Sequence, residues 1–228
     1  MRRAYIEGHV PFREGFREAR RWAGDGAAIR VGDTGTVENN KWMEQLGLPI
    51  TSASSRSRFH GTPRGTVIGA FLNLAEVLEL ERSAQVAGIV VVPANGPHRM
   101  FPTISGHVPW ISAFDVECLG GNAIEQTPAA SPPIKAAVKG LTGLAIHNQG
   151  LVDRRERSEV VHALSYFRSR GIALDPDALM VEALRNQWGG RGAEDLREIA
   201  IELNKGKRLR FDKRRLAQQV LDEWSAAQ

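Results

Sequence analysis

The chain has 228 residues, of which 42% are hydrophobic and 25% charged, with a formal net charge of +4. This composition is typical of a globular protein with a real core, and so small a charge does not by itself indicate nucleic acid. No apolar run approaches the roughly 20 residues of a membrane span, and none follows the N-terminal arginines, so we expect neither a membrane segment nor a signal peptide. The single cysteine, Cys118, excludes an internal disulfide and favours a reducing cytoplasm.

Short apolar runs alternate with helical patterns through the first part of the chain. Apolar residues at helical spacing predict a helix over Pro11–Ala23, ended by the glycines that follow it. Buried strands are predicted at Ala27–Val31 and at Gly88–Val92, a β-branched run. Between these strands we predict, in chain order, a helix over Thr36–Leu46, an apolar run over Leu48–Thr51 and a helix over Thr66–Arg82.

The alternation of strand, loop and helix predicts an α/β fold, with a mainly parallel N-terminal sheet and flanking helices. After the strand at Gly88–Val92 we expect a helix over Ile111–Leu119 and a short strand over Ala123–Gln126. From Ser131 onward the pattern is helical to the end, with the last helix predicted over Lys213–Ala226. The sequence therefore predicts an α/β domain over residues 1–130 and a helical region over residues 131–228, and leaves open whether they share one core.

A stretch without acidic residues, between Glu44 and Glu76, gives the first indication of a binding site. Its basic and hydroxyl side chains precede the helix predicted to begin at Thr66, and helix N-termini favour phosphate or carboxylate groups. We therefore expect an anionic small molecule there, such as a nucleotide; the alternative is a mobile, solvated loop. The candidate ligand-binding residues are Arg56, Arg58, His60, Arg64, Thr66 and Asn95.

Polar residues that follow predicted strands supply candidate catalytic groups. Ligands of parallel α/β sheets bind outside the carboxyl ends of the strands. If the strands are adjacent, Asp33, the 52–57 stretch and Asn95 line one crevice together with His98. His98 titrates near neutrality, so His98 and Asp33 are the candidate acid–base groups, although a histidine after a strand is more often structural. Metal-ligand spacings are missing, so we expect no metal, and no cofactor is indicated.

A basic run, Lys205–Arg215, has seven basic residues among eleven, which indicates an anionic partner or a solvated face. Nearby acidic residues neutralise part of it. Leu209 and Phe211 alternate with arginines, which predicts a short extended stretch with its apolar face packed inward. The candidate nucleic-acid-binding residues are Lys205, Lys207, Arg208, Arg210, Lys213 and Arg214.

Two alternatives to a small-molecule protein stay open at this point. Helices on either side of 189–192 fit a helix-turn-helix, which with the basic run would form a DNA-binding module, although an ordinary helical hairpin is favoured. The chain could instead be a non-catalytic scaffold or homo-oligomer whose tryptophans serve interfaces, with burial in the core as the default. No sequence motif indicates a particular reaction, so the sequence leaves open whether the protein is an enzyme.

Overall fold

A computed structural model of the chain describes residues 1–93, 104–144, 151 and 153–228. These residues form two compact units, Met1–Gln126 and Thr127–Gln228. The first unit has a parallel sheet with flanking helices, and the second has helices but no strand among its described residues. The predicted fold class is therefore confirmed.

The sheet of the first unit contains six strands, all parallel in the described part of the chain. Their spatial order is β3-β2-β4-β5-β1-β6. The strands are β1 (Arg2–Ile6), β2 (Ala28–Val31), β3 (Ile50–Ser52), β4 (Gly65–Ala70), β5 (Val86–Val92) and β6 (Glu117–Gly120).

Helices cover both faces of this sheet. They are α1 (Phe12–Ala23), α2 (Thr34–Glu38), a 3-10 helix (Lys41–Leu46), α3 (Leu74–Glu81), and a second 3-10 helix (Ile104–His107) that runs into α4 (Val108–Phe114). Phe16 of α1 and Val37 of α2 share one hydrophobic cluster with Ile29 of β2. Successive strand residues point to opposite faces of a sheet, so Arg30 points away from the face that holds Ile29. The guanidinium group of Arg30 lies 3.8 Å from the carboxylate of Glu79 in α3. Therefore α3 covers the face opposite to α1 and α2.

Four of the predicted elements in this unit are wrong. The range Thr36–Leu46 is not one helix, because it contains most of α2 and a separate 3-10 helix. The range Thr66–Arg82 is not one helix, because it contains most of β4, a short connection and then α3. Strand β4 ends in four fully buried residues, so it lacks the polar alternation that identifies a half-exposed strand. The range Ile111–Leu119 likewise divides between α4 and β6, and Ala123–Gln126 is not a strand.

The connections after β2 and β4 place a crevice at the carboxyl edge of the sheet. These two strands are neighbours, but the chain leaves β2 toward α2 and leaves β4 toward α3, on opposite faces. The two loops therefore separate at this edge, which is where open α/β sheets generally bind their ligands.

The second unit consists of helices packed around leucine-rich contacts. They are α5 (Pro132–Leu144), α6 (Arg154–Ser169), α7 (Pro176–Arg185), α8 (Gly190–Asn204) and α9 (Gln218–Ser225). Leu164, Leu179, Leu196 and Leu221 are almost fully buried. No helix in the described ranges of the chain has the length and apolar character needed to cross a bilayer.

The segment between α8 and α9 is neither helix nor strand, so the predicted helix over Lys213–Ala226 begins too early. Asp212 forms an Asx turn there, since its side chain accepts a hydrogen bond from the Arg214 backbone N–H at 3.0 Å, and the helix begins only at Gln218. Leu209 and Phe211 are half-buried while Arg208 is exposed. This alternation agrees with an extended stretch that packs its apolar side inward.

Candidate functional site

The carboxyl edge of the sheet brings together part of the predicted crevice. Thr34 Oγ1 donates a hydrogen bond to Ser57 Oγ at 2.8 Å, and Ser52 Oγ donates one to the Gly32 carbonyl at 3.2 Å. The loops after β2 and β3 are therefore in contact, as predicted. Asn95 and His98 lie outside the described residues, so their assigned roles stay predictions.

Asp33, the candidate catalytic carboxylate, caps helix α2. Its Oδ1 accepts hydrogen bonds from the Thr36 backbone N–H at 2.9 Å and from Thr36 Oγ1 at 3.2 Å. At the start of α3, Asn73 and Glu76 form a reciprocal capping box. A Cβ on Gly32 would lie 3.2 Å from Glu76 Oε1, so this carboxylate closes the crevice against the loop after β2. Asp33 at the start of α2 and Glu76 in the first turn of α3 place negative charge at both helix starts, which disfavours an anionic ligand at this edge.

Arg64 and Thr66 lie at the opposite edge of the sheet from Asp33. Strand β4 begins at Gly65, so Thr66 is paired with Gly88 of β5 and does not start a helix. Arg64 Nε donates a hydrogen bond to the Gln85 side chain at 3.2 Å. The predicted anion site therefore lacks the helix N-terminus on which it depended.

The other basic residues of the acid-free stretch lie in the loop after β3. Arg58 is bound to Glu44 by an ion pair of 2.7 Å, while Arg56 and His60 are exposed. The fold thus brings the carboxylate of Glu44 next to Arg58, although the sequence around Arg58 contains no acidic residue. Sequence distance alone does not reveal such a partner.

The helical unit contains a pocket of about 610 Å³, a volume within the usual range of ligand sites. It lies between the start of α6 and the segment that joins α8 to α9. We call it the arginine pocket, because five of its lining residues are arginines, against two aspartates. Its full lining is Asp153, Arg154, Arg155, Arg157, Ser158, Arg210, Phe211, Asp212 and Arg215.

Local contacts explain why the two segments meet at this pocket. Asp153 caps α6 by accepting a hydrogen bond from the Arg155 backbone N–H at 2.8 Å, so the arginines that follow lie in the first turn. Ser158 Oγ accepts a hydrogen bond from the Asp212 backbone N–H at 2.7 Å. The ring of Phe211 stacks on that of His162, with centroids 5.0 Å apart. These contacts attach the segment around Arg210 to α6.

Positive charge in the arginine pocket is only partly compensated, because Glu202 interacts electrostatically with Arg157 and Glu159 with Arg215. Asp153 and Asp212 already accept backbone hydrogen bonds, and Arg215 is 3.8 Å from Asp212. Guanidinium groups that lack a carboxylate partner repel one another and are well suited to bidentate contacts with phosphate. The arginines without an ion pair to any residue in the described part of the chain are Arg154, Arg155, Arg157 and Arg210.

His162 lies behind Phe211, and its surroundings favour the uncharged imidazole. Burial lowers the pKa of His162, and the nearby Lys213 lowers it further against the opposing effect of Asp212. Its Nδ1 is buried without a hydrogen-bond partner among the described residues. A neutral imidazole can stack on Phe211 without adding charge to an already positive region.

The helix-turn-helix hypothesis finds little support in the charges of α8. Gly190 and Gly192, in its first turn, are buried, although a recognition helix presents this end to the DNA groove. Acidic side chains outnumber basic ones on the helix, and they repel phosphates. The charged residues of α8 are Glu194, Asp195, Glu198 and Glu202, against Arg191 and Arg197.

Of the residues predicted to contact nucleic acid, Arg210 lines the pocket. Lys207 forms an ion pair with Glu202, and the remaining members, Lys205, Arg208, Lys213 and Arg214, are exposed in the same segment. The arginines of α6 were missed at the sequence level. Their signal was three arginines in four residues directly after a capping aspartate.

No group of three or more histidine, cysteine or carboxylate side chains suited to a metal ion exists within residues 1–93, 104–144, 151 and 153–228. Residues 130–225 match the model of a protein family described as "Domain of unknown function (DUF1889)". The matched range lies within the helical unit and includes every residue that lines the arginine pocket. No curated protein and no solved structure matches the chain.

Proposed function

We propose that this protein binds a phosphate-bearing ligand, whose phosphate groups the arginine pocket holds. The supporting observation is a cavity of about 610 Å³ lined by five arginines, four of them without an ion pair in the described part of the chain. The proposal assigns binding and no reaction. It keeps the anionic ligand expected from the sequence but locates it in the helical unit.

Charge favours a phosphate over a single carboxylate. The lining carries five positive and two negative side chains, and one carboxylate would leave most of that excess unbalanced. A group with several negative oxygens matches several guanidinium forks at once. Charge-assisted hydrogen bonds contribute about 1.5–3 kcal/mol each, so losing two arginines would measurably weaken binding.

Isothermal titration calorimetry with inorganic tripolyphosphate, at low salt, tests this proposal. We expect the double variant Arg155→Gln, Arg210→Gln to bind at least about tenfold more weakly than the wild type. The matched control is Arg17→Gln, Arg191→Gln, which removes the same charge from exposed positions outside the pocket lining and is expected to bind within about twofold of the wild type. Equal affinity of the pocket variant and the wild type, or no wild-type binding at millimolar tripolyphosphate, would overturn the proposal.

A further inference from the structure

We infer that the occupant of the arginine pocket is a single-stranded polynucleotide, with one base resting on Phe211 and its phosphates on the surrounding arginines. This inference rests on the proposed function and names the class of ligand. Three features of the helical unit carry it: an aromatic wall in the pocket, a basic segment that continues beyond it, and an acidic helix that disfavours a duplex.

Phe211 gives the pocket an aromatic surface that a phosphate alone would not need. Phe211 is half-buried and belongs to the pocket lining, and its ring stacks on His162. The rings of His162 and Phe211 are tilted by only 24°, so the imidazole supports the phenyl ring from behind. Non-specific single-strand binding combines such stacking surfaces with a positively charged groove.

The basic segment extends further than one nucleotide requires. Lys205, Arg208, Lys213 and Arg214 are exposed on the chain that also supplies Arg210 to the pocket, and no described residue forms an ion pair with any of these four. A mononucleotide occupying the pocket would not use them. A polynucleotide that enters the pocket carries further phosphates, which these side chains can neutralise.

A duplex fits the same surface poorly. The segment 205–217 is neither helix nor strand, whereas the elements that read the major groove of a duplex are helices or β-ribbons. Helix α8, which leads into this segment, has an acidic excess that repels a second phosphate backbone. A flexible single strand can instead follow the arginines and expose its bases for stacking.

Fluorescence anisotropy with labelled 12-mers tests this inference on the full chain. The probes are oligo(dT), oligo(U), a 12-base-pair duplex and an abasic 12-mer that has the phosphates but no bases. We expect at least one of the two single-stranded probes to bind roughly tenfold or more tightly than the duplex. Comparing oligo(dT) with oligo(U) then shows whether the ligand is DNA or RNA.

Variants of Phe211 separate stacking from charge. Phe211→Leu keeps an apolar side chain against His162 and is expected to weaken binding of the base-bearing strand roughly tenfold, while leaving the abasic strand unchanged. Phe211→Trp is expected to retain wild-type affinity or exceed it, and Phe59→Leu, in the first unit, is the matched control. Circular dichroism melting establishes that each variant folds; if Phe211→Leu does not, Phe211→Met, which also removes the aromatic ring, takes its place with the same expected results.

The outcomes distinguish this inference from the function on which it rests. If tripolyphosphate binds but neither single strand binds more tightly than the duplex, the inference is wrong and the proposed function stands. The same conclusion follows if neither single strand binds more tightly than tripolyphosphate. The stacking role is wrong if Phe211→Leu weakens the abasic and base-bearing strands equally. If neither tripolyphosphate nor any strand binds, both proposals fail together.

Discussion

The carboxyl edge of the sheet and the arginine pocket both collect polar side chains, but they use them in opposite ways. At the edge, Asp33, Asn73 and Glu76 are hydrogen-bonded to the starts of their own helices. In the pocket, the side chains of Arg155 and Arg210 form no ion pair with any part of the chain that the structure describes. A topologically favoured position is thus not sufficient for a binding site, because its polar groups can be fully engaged in holding the fold.

This comparison predicts opposite responses to mutation. Side chains that cap helices stabilise the folded chain, so removing them lowers the free energy of unfolding. Clustered like charges without partners contribute repulsion instead, so removing one costs little stability and affects ligand binding. The variants below test whether the two regions separate in this way.

Salt dependence is expected to show the largest effect. If the four unpaired pocket arginines each neutralise one phosphate of a single strand, they alone contribute about −2.8 to the slope of log affinity against log salt, which weakens binding about 50-fold or more between 50 and 200 mM KCl. The double variant Arg155→Gln, Arg210→Gln should reduce the magnitude of that slope by about 1.4. Anisotropy titrations at three salt concentrations measure it, and Asp33→Ala serves as the control that leaves the slope unchanged. A slope near zero would contradict the role given to the arginines.

Asp33 is expected to matter for stability. Asp33→Ala removes the cap of α2 and should lower the free energy of unfolding by about 1 kcal/mol, whereas Asp33→Asn keeps an acceptor and should cost much less. Urea unfolding followed by circular dichroism, with hydrogen exchange at α2, measures both. If Asp33→Ala leaves the exchange of α2 unchanged, capping does not explain this residue and its catalytic candidacy gains weight.

Neutralising the pocket should change stability only slightly. Arg155→Gln is expected to lie within about 0.5 kcal/mol of the wild type, with any gain larger at low salt because repulsion between exposed charges is screened. Thermal melts at 20 and 500 mM KCl check this expectation. A loss as large as that of Asp33→Ala would mean that the arginine supports the fold as the edge residues do.

Much of the fold was accessible from the sequence, for reasons visible in single elements. The β-branched run within β5 and the start of α7, where Asp175 caps the helix and a proline follows, can be recognised from the local sequence alone. Strand β4 was missed because it is buried and followed closely by α3, so that strand and helix merge into one apolar pattern. The strand β1 was missed as well, since its first residues are two arginines.

The site was less accessible, because it joins segments about fifty residues apart in the chain. The density of Lys205–Arg215 and the arginines after Asp153 are each visible in the sequence. Their meeting depends on the hydrogen bond between Ser158 and Asp212 and on the stacking of Phe211 against His162. The helix N-terminus expected beside residues 56–64 is absent for the converse reason, since the pairing of Arg58 with Glu44 and the position of strand β4 arise only in three dimensions.

The smallest expected effect concerns Glu159, an acidic neighbour of the pocket on α6. Burial raises the pKa of Glu159, while Arg215 opposes this and Glu156 adds to it. A raised pKa means that the folded chain binds this proton more tightly than the unfolded chain does, so the ionised carboxylate costs stability above that pKa. The cost diminishes as the pH falls through the raised pKa, and it is absent below the ordinary value of a glutamate.

Glu159→Gln should therefore raise the free energy of unfolding by about 0.2–0.5 kcal/mol at pH 7, the usual size of a like-charge effect on a helix, and by nothing at pH 4. The same change removes a negative charge beside Arg215, so polyanion binding should tighten about twofold. Urea melts at both pH values and anisotropy at pH 7 measure these effects, with Glu125→Gln, an exposed acid of the first unit, as the control. Weaker binding by Glu159→Gln would show that this carboxylate positions Arg215 for the ligand. Residues that support the structure and residues that bind the ligand would then occur together in the pocket, unlike the division drawn between the pocket and the sheet edge.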